Sequence, residues 1–183
     1  HEAFSRYINI RKIPKIIIEY NRFLDPIFIS YVQSNPEWKN YQIPEKEKVL
    51  ERVENYKKEW VKHEQKILYG LCNITGLSFN RDVIEAYIVS VNLRQFSNPI
   101  IIKSGFPPDE FIDILTHELI HRLLVINKIK KKIIIDNKYS NEPEIVKNHV
   151  IVHALLKYIY LDILKDKLRL RKNILRSKNH TTN

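Results

Sequence analysis

The chain has few of the residues that punctuate or cross-link a fold. Its 183 residues include three glycines, one cysteine and no methionine. With Cys72 alone, no internal disulfide can form. Its setting, Leu71-Cys72-Asn73-Ile74, reads as a helix end with a buried structural thiol. A lone thiol fits a reducing compartment, so a cytoplasmic location is expected. No apolar run approaches the roughly 18 residues of a membrane-spanning helix, so no membrane span is expected. A charged-then-apolar leader is missing as well, and His1 in a chain without methionine reads as a processed or engineered start.

What is abundant is charge of one sign. Lysine and arginine number 31 against 21 acidic residues, a net charge of +10. Such a balance fits nucleic acid, an acidic membrane surface or an acidic partner. It fits equally the Ile-, Lys- and Asn-rich bias of an AT-rich coding sequence. Charge alone therefore leaves nucleic acid open as a partner without pointing to it. The length suits one domain with a single substantial core. We divide it into an N-terminal strand and helix extension (1–43), a core (44–167) and a basic tail (168–183).

The core is organised around Leu115-Thr116-His117-Glu118-Leu119-Ile120-His121, an HExxH motif inside an apolar run of helical period. Residues four apart share one face of an α-helix, so His117 and His121 can direct two imidazoles at one metal ion. Glu118, one residue round, stands where a general base would deprotonate an activated water. Solvated side chains on a surface helix are the bland alternative. Leu115, Leu119, Ile120, Leu123 and Leu124 oppose it, because buried imidazoles need partners and a metal satisfies both.

Around this motif, Lys15 to Tyr20 reads as a strand and 26–34 as a short helix with Asp25 as N-cap and Pro26 next. Residues 44–72 carry the longest helical pattern, with Val49, Val53, Tyr56, Trp60, Ile67 and Leu71 on the apolar face. Residues 83–91 and 99–103 read as strands. The HExxH helix should run from about 108 to 127, with Asp109 and Glu110 at its positive end. A short strand over 132–136 is possible on pattern. A helix over 142–167 follows, then a basic tail expected to fray beyond about 175.

A catalytic zinc site uses three protein ligands and one open position. The third candidate must come from elsewhere, and the 142–167 helix offers Glu142, Glu144, His149 and His153. Positions 142, 146, 149 and 153 share one helical face. Acidic residues in a first helical turn can simply stabilise the dipole, and paired core histidines can simply bond each other. The concentration of all of these soon after HExxH favours a ligand. Asp113, one turn before His117, could orient a ligand histidine or could form a salt bridge. His149 or His153 could donate to the oxyanion of a tetrahedral intermediate, with Tyr139 and Tyr160 as further candidates.

HExxH followed some 20 residues later by Asn141-Glu142 at a second helix resembles the gluzincin class of zinc metallopeptidases, and the size is similar to the compact minigluzincins. The resemblance spans roughly residues 84–165. It implies zinc held by His117, His121 and Glu142, with Glu118 as general base and Glu144 the alternative to Glu142. It also implies a strand, 84–91 or 99–103, that pairs with substrate backbone. Two positions depart from the class. Arg122 follows the second histidine, where peptidase forms are uncharged, and Val146 replaces an aspartate found in some relatives.

The expected fold is thus α+β and zincin-like: a small β-sheet on the HExxH helix, a long backing helix and a C-terminal helix bearing the glutamate. The expected function is zinc-dependent peptide hydrolysis of a peptide or protein substrate. A zinc-binding scaffold without turnover and a nucleic-acid-associated protein are the alternatives. Clustering of Lys165, Lys167, Arg169, Arg171, Lys172, Arg176 and Lys178 on one surface would support the latter.

Overall fold

The computed structural model describes residues 13–127 and 140–180; the side chains of Glu144, Ile145, Asn148 and 177–180 fall outside that description. The possible strand over 132–136 and Tyr139 also lie outside the described residues.

The architecture is α+β. Four strands form a mixed sheet in the order β1 (Lys15–Tyr20), β2 (Val83–Val89), β4 (Ile100–Lys103), β3 (Phe96–Ser97). The first three are parallel and β3 runs antiparallel to β4. Alternation along the strands sets the two faces. Ile16 and Ile18 pair with Ile84 and Ala86, and Ile88 pairs with Ile102. All of these are buried on the helical side. Lys15, Glu19 and Glu85 point the other way and are exposed.

The long crossover from β1 to β2 carries α1 (Asp25–Ser34), α2 (Lys46–Val61) and α3 (Glu64–Thr75). The 44–72 pattern is therefore two helices rather than one. After Trp60 the backbone tightens, with Lys62 N–H donating to Glu59 O and His63 N–H to Trp60 O. The break gives Glu64 a place at a new helix start, where its Oε1 accepts the Ile16 N–H at 3.3 Å. Apolar spacing continued across Lys62-His63-Glu64, which is why the pattern did not reveal the break.

Asp25 corrects a second expectation. It is not an N-cap: the side-chain oxygen that takes free amides ahead of α1 belongs to Asn21, which accepts from Phe23 N and Leu24 N. Asp25 is buried instead. It accepts from the Ser90 amide at 2.6 Å, the Ser90 hydroxyl at 2.7 Å and the Tyr20 hydroxyl at 2.7 Å. One carboxylate thereby ties the C-terminal ends of β1 and β2 together.

The motif helix α4 (Pro108–Ile126) lies under the sheet. Phe111, Leu115, Leu119, Ile120 and Leu123 are fully buried against α2 and the strands. The Phe111 ring stacks on Tyr56 with centroids 3.9 Å apart. Tyr56 donates into the turn before α4, its hydroxyl lying 2.7 Å from both Ser104 O and Phe106 O. These contacts fix the helix start relative to the end of β4.

The C-terminal helix is also divided. α5 (Glu144–Tyr158) gives way to a π turn at Ile159–Ile163, and α6 (Lys167–His180) follows Lys165, whose φ is +54°. The widened turn rotates Ile159 and Tyr160 into the core, where they are buried. Gly70 of α3 is the surface they approach: a Cβ there would lie 2.9 Å from Ile163 Cγ1. The backbone of α6 is helical through His180.

Candidate metal centre

α4 turns one flank to the core and the other to a groove. His117, Glu118 and His121 lie on the second flank, one turn apart for the two histidines. Their Nε2 atoms are 3.1 Å apart. α5 packs alongside and brings His149 to the same point, its ring centroid 5.5 Å from His117 and 5.0 Å from His121. One donor atom from each of the three histidines lies within 4.8 Å of the others. His153, one turn further on α5, is exposed, with its ring 6.2 Å from His117 and 6.1 Å from His149.

Glu142 is exposed ahead of α5 and stands outside this histidine group. Among the described residues the donors brought together are three imidazoles, whereas the resemblance implied two imidazoles and a carboxylate; the side chain of Glu144, the alternative carboxylate, lies outside the described residues. His149 sits with the ligand-type donors rather than apart from them. Positions 149 and 153 share one helical face, and α5 turns that face toward the motif histidines.

The donor set fits zinc. Neutral nitrogen donors at about 2.0–2.1 Å in a tetrahedron stand roughly 3.3 Å from each other. The His117–His121 pair, at 3.1 Å and within hydrogen-bond distance, is near that separation, and all three donors lie within 4.8 Å. Burial, then the neighbouring His121, His149 and His153, pushes the His117 imidazole down to about 3, so it is neutral and can donate a lone pair. Burial and His149 lower His153 in the same direction.

Glu118 is 9% exposed and burial pushes its carboxyl up to about 7. A carboxyl poised near neutrality is suited to taking a proton and giving it back.

Asp113 does not orient His117. Its Oδ1 accepts from Arg169 Nε at 2.6 Å and its Oδ2 from a terminal nitrogen of Arg176 at 3.0 Å. Arg169 also donates to Asp109 O at 2.9 Å. Two residues of the basic tail thus clamp α6 onto α4 one turn before the first histidine. Arg169 is buried, and α6 exposes Leu168, Ile174 and Leu175 among its cations. Tyr160 is sealed beside this carboxylate, its hydroxyl buried without a well-formed hydrogen bond. Burial and the Asp113 charge both push that phenol upward. It is therefore not in the groove and is removed from the oxyanion candidates.

The groove floor is α4 and its rim is residues 94–98. One cavity of about 300 Å³ and another of about 370 Å³ are both lined by Arg94, Gln95, His117 and Glu118, which sets them side by side along the motif helix. The rim strand is β3, not 84–91 or 99–103. β4 is interior, hydrogen-bonded on both sides, whereas β3 ends the sheet beside the histidines. A two-residue strand is too short for alternation to show, so it is not legible in the pattern.

Arg122 turns away from the cleft. It lines a separate cavity of about 130 Å³ with Arg81, Glu85 and Tyr87. The charge after the second histidine is therefore not a charge in the groove.

No family model, curated protein or solved structure matches this chain.

Proposed function

We infer that the protein is a zinc-dependent hydrolase that cleaves peptide bonds, with His117, His121 and His149 as metal ligands and Glu118 as general base. The observation that carries this reading is the convergence of three histidine donors from two helices beside a buried glutamate. When bound there, zinc supplies Lewis acidity, which acidifies water and polarises a carbonyl.

The chain's own residues do the rest. Glu118 accepts a proton from water at its carboxylate and returns it to the departing amine. Its burial keeps bulk water from competing for that proton. β3 ends the sheet among the described residues, and its outer edge would offer main-chain groups to an extended peptide, which would add to the sheet as a further strand. That edge is what favours a peptide over a small ester or amide. The exposed His153, one turn beyond His149 on α5, would donate to developing negative charge.

The test is to incubate wild type and Glu118→Gln with zinc and a denatured protein mixture. Wild type is expected to produce fragments at a rate at least about 100-fold above the variant, the usual contribution of a positioned base. Equal cleavage by both would remove Glu118 from this role. No cleavage by zinc-loaded wild type would leave a zinc-binding scaffold.

A further inference from the structure

The cleft has a chemically distinct end. Beyond His117 and Glu118 it opens between the turn after β4 and α6, into the cavity of about 300 Å³. The charges on its wall do not cancel. Glu110 and Asp113 are matched by Arg176, which lies 3.8 Å from Glu110 Oε2 and 3.0 Å from Asp113 Oδ2, and by Arg169 at 2.6 Å from behind. That four-charge cluster is neutral. It leaves Arg94 and Lys103 facing the cavity, with Glu118 as the remaining carboxyl.

Neither cation has an acidic partner among the described residues. Each rests against a ring instead: the Arg94 guanidinium is 5.2 Å from the Phe96 centroid and the Lys103 ammonium 5.2 Å from Phe106. A cation held over an aromatic face keeps its position and still has its N–H donors to offer. Two such donors, both lining a cavity that also takes in His117 and Glu118, form a receptor for a carboxylate. The excess of basic residues over the whole chain would draw acidic chains toward it.

We propose that Arg94 and Lys103 form a substrate subsite for an acidic side chain, so that the protein selects peptides with glutamate or aspartate next to the scissile bond. This rests on the hydrolase reading given above, and it separates from that reading by experiment.

The probe is a set of peptides identical except for Glu, Gln or Lys at the position beside the cut. Wild type, Arg94→Glu and Lys103→Glu are compared, with thermal denaturation and zinc content as controls that each variant is folded. Wild type should favour the Glu peptide over the Gln peptide about tenfold in kcat/KM, the worth of one charge-assisted hydrogen bond. The preference should shrink as salt rises. Each reversal should move it toward the Lys peptide. A Glu-to-Gln ratio near one in wild type, or the same ratio in wild type and both variants, overturns the subsite.

Should wild type cut none of the peptides, the hydrolase reading fails alone. Binding of the same labelled peptides to zinc-loaded wild type and Arg94→Glu then decides the subsite. Tighter binding of the Glu peptide that the reversal abolishes supports it, and charge-blind binding overturns it.

Discussion

Asp113 and Arg169 are 56 positions apart in the chain and 2.6 Å apart in space. The bond joins α6 to α4 one turn before His117, with the Asp113 side chain 1% exposed. The groove depends on this junction, because it fixes the far wall against the helix that carries the motif.

Breaking one side of a buried ion pair leaves an uncompensated charge, at a cost of roughly 3–5 kcal/mol. Arg176 supplies a second cation to Asp113, so Arg169→Gln should fall at the low end, about 3 kcal/mol. Replacing both partners together, Asp113→Leu with Arg169→Leu, should cost less than the Arg169 change alone. Urea denaturation of the three proteins measures this. Unchanged stability in Arg169→Gln would mean that the pair is solvated.

The metal-free protein should show a pH dependence that isolates Glu118. Its carboxyl is raised from 4.5 to about 7 in the folded state. A raised carboxyl means the folded state holds its proton longer than the unfolded chain does. Its contribution is therefore present below pH 4.5 and is lost as pH rises to about 7. His117 acts oppositely, being depressed from 6.5 to about 3, so stability falls as pH drops through that interval. The two oppose each other between pH 4.5 and 6.5. In chelator, Glu118→Gln should gain on wild type across pH 4.5 to 7 by on the order of 3 kcal/mol. A difference that does not vary with pH would contradict the burial of this carboxyl.

Gly70 marks the contact that seats the π turn. A methyl there would meet Ile163 Cγ1 at 2.9 Å and Ile159 Cδ1 at 3.3 Å. Alanine gains about 1 kcal/mol of helix propensity over glycine, while overpacking costs about 1–3 kcal/mol. Gly70→Ala should be net destabilising by about 1 kcal/mol, and the penalty should vanish in an Ile163→Ala background. Thermal denaturation of the double-mutant cycle reads the coupling; a stabilised Gly70→Ala would place Ile163 elsewhere.

The parts of the fold that burial dictates could be read from the sequence. The strands at 15–20, 83–89 and 100–103 and the helix at 108–126 follow from apolar period and from Pro and Gly positions. So do His117, Glu118 and His121, whose spacing alone sets their geometry. The parts that depend on contacts between distant segments could not. Asp25 looked like a cap because its bond to Ser90 crosses 65 positions. The tail read only as basic because nothing local reveals that Arg169 reaches Asp113. Glu142 had an attractive spacing, yet only the packing of α5 on α4 decides which of its residues faces the histidines. His149 is one helical turn inside that packed segment and Glu142 precedes the helix.

The most direct test of the metal centre is zinc content after exhaustive dialysis of wild type, His149→Ala and Glu142→Ala, with affinity measured by competition against a chromogenic chelator. Loss of an outer partner of a ligand weakens a site by about 10–100-fold, so loss of a ligand itself should weaken it by on the order of 100-fold or more. One zinc per chain in wild type and Glu142→Ala, with His149→Ala at least that much weaker, is the predicted result. Wild type that retains no zinc, or retention in His149→Ala with loss in Glu142→Ala, would contradict a centre built from three histidines.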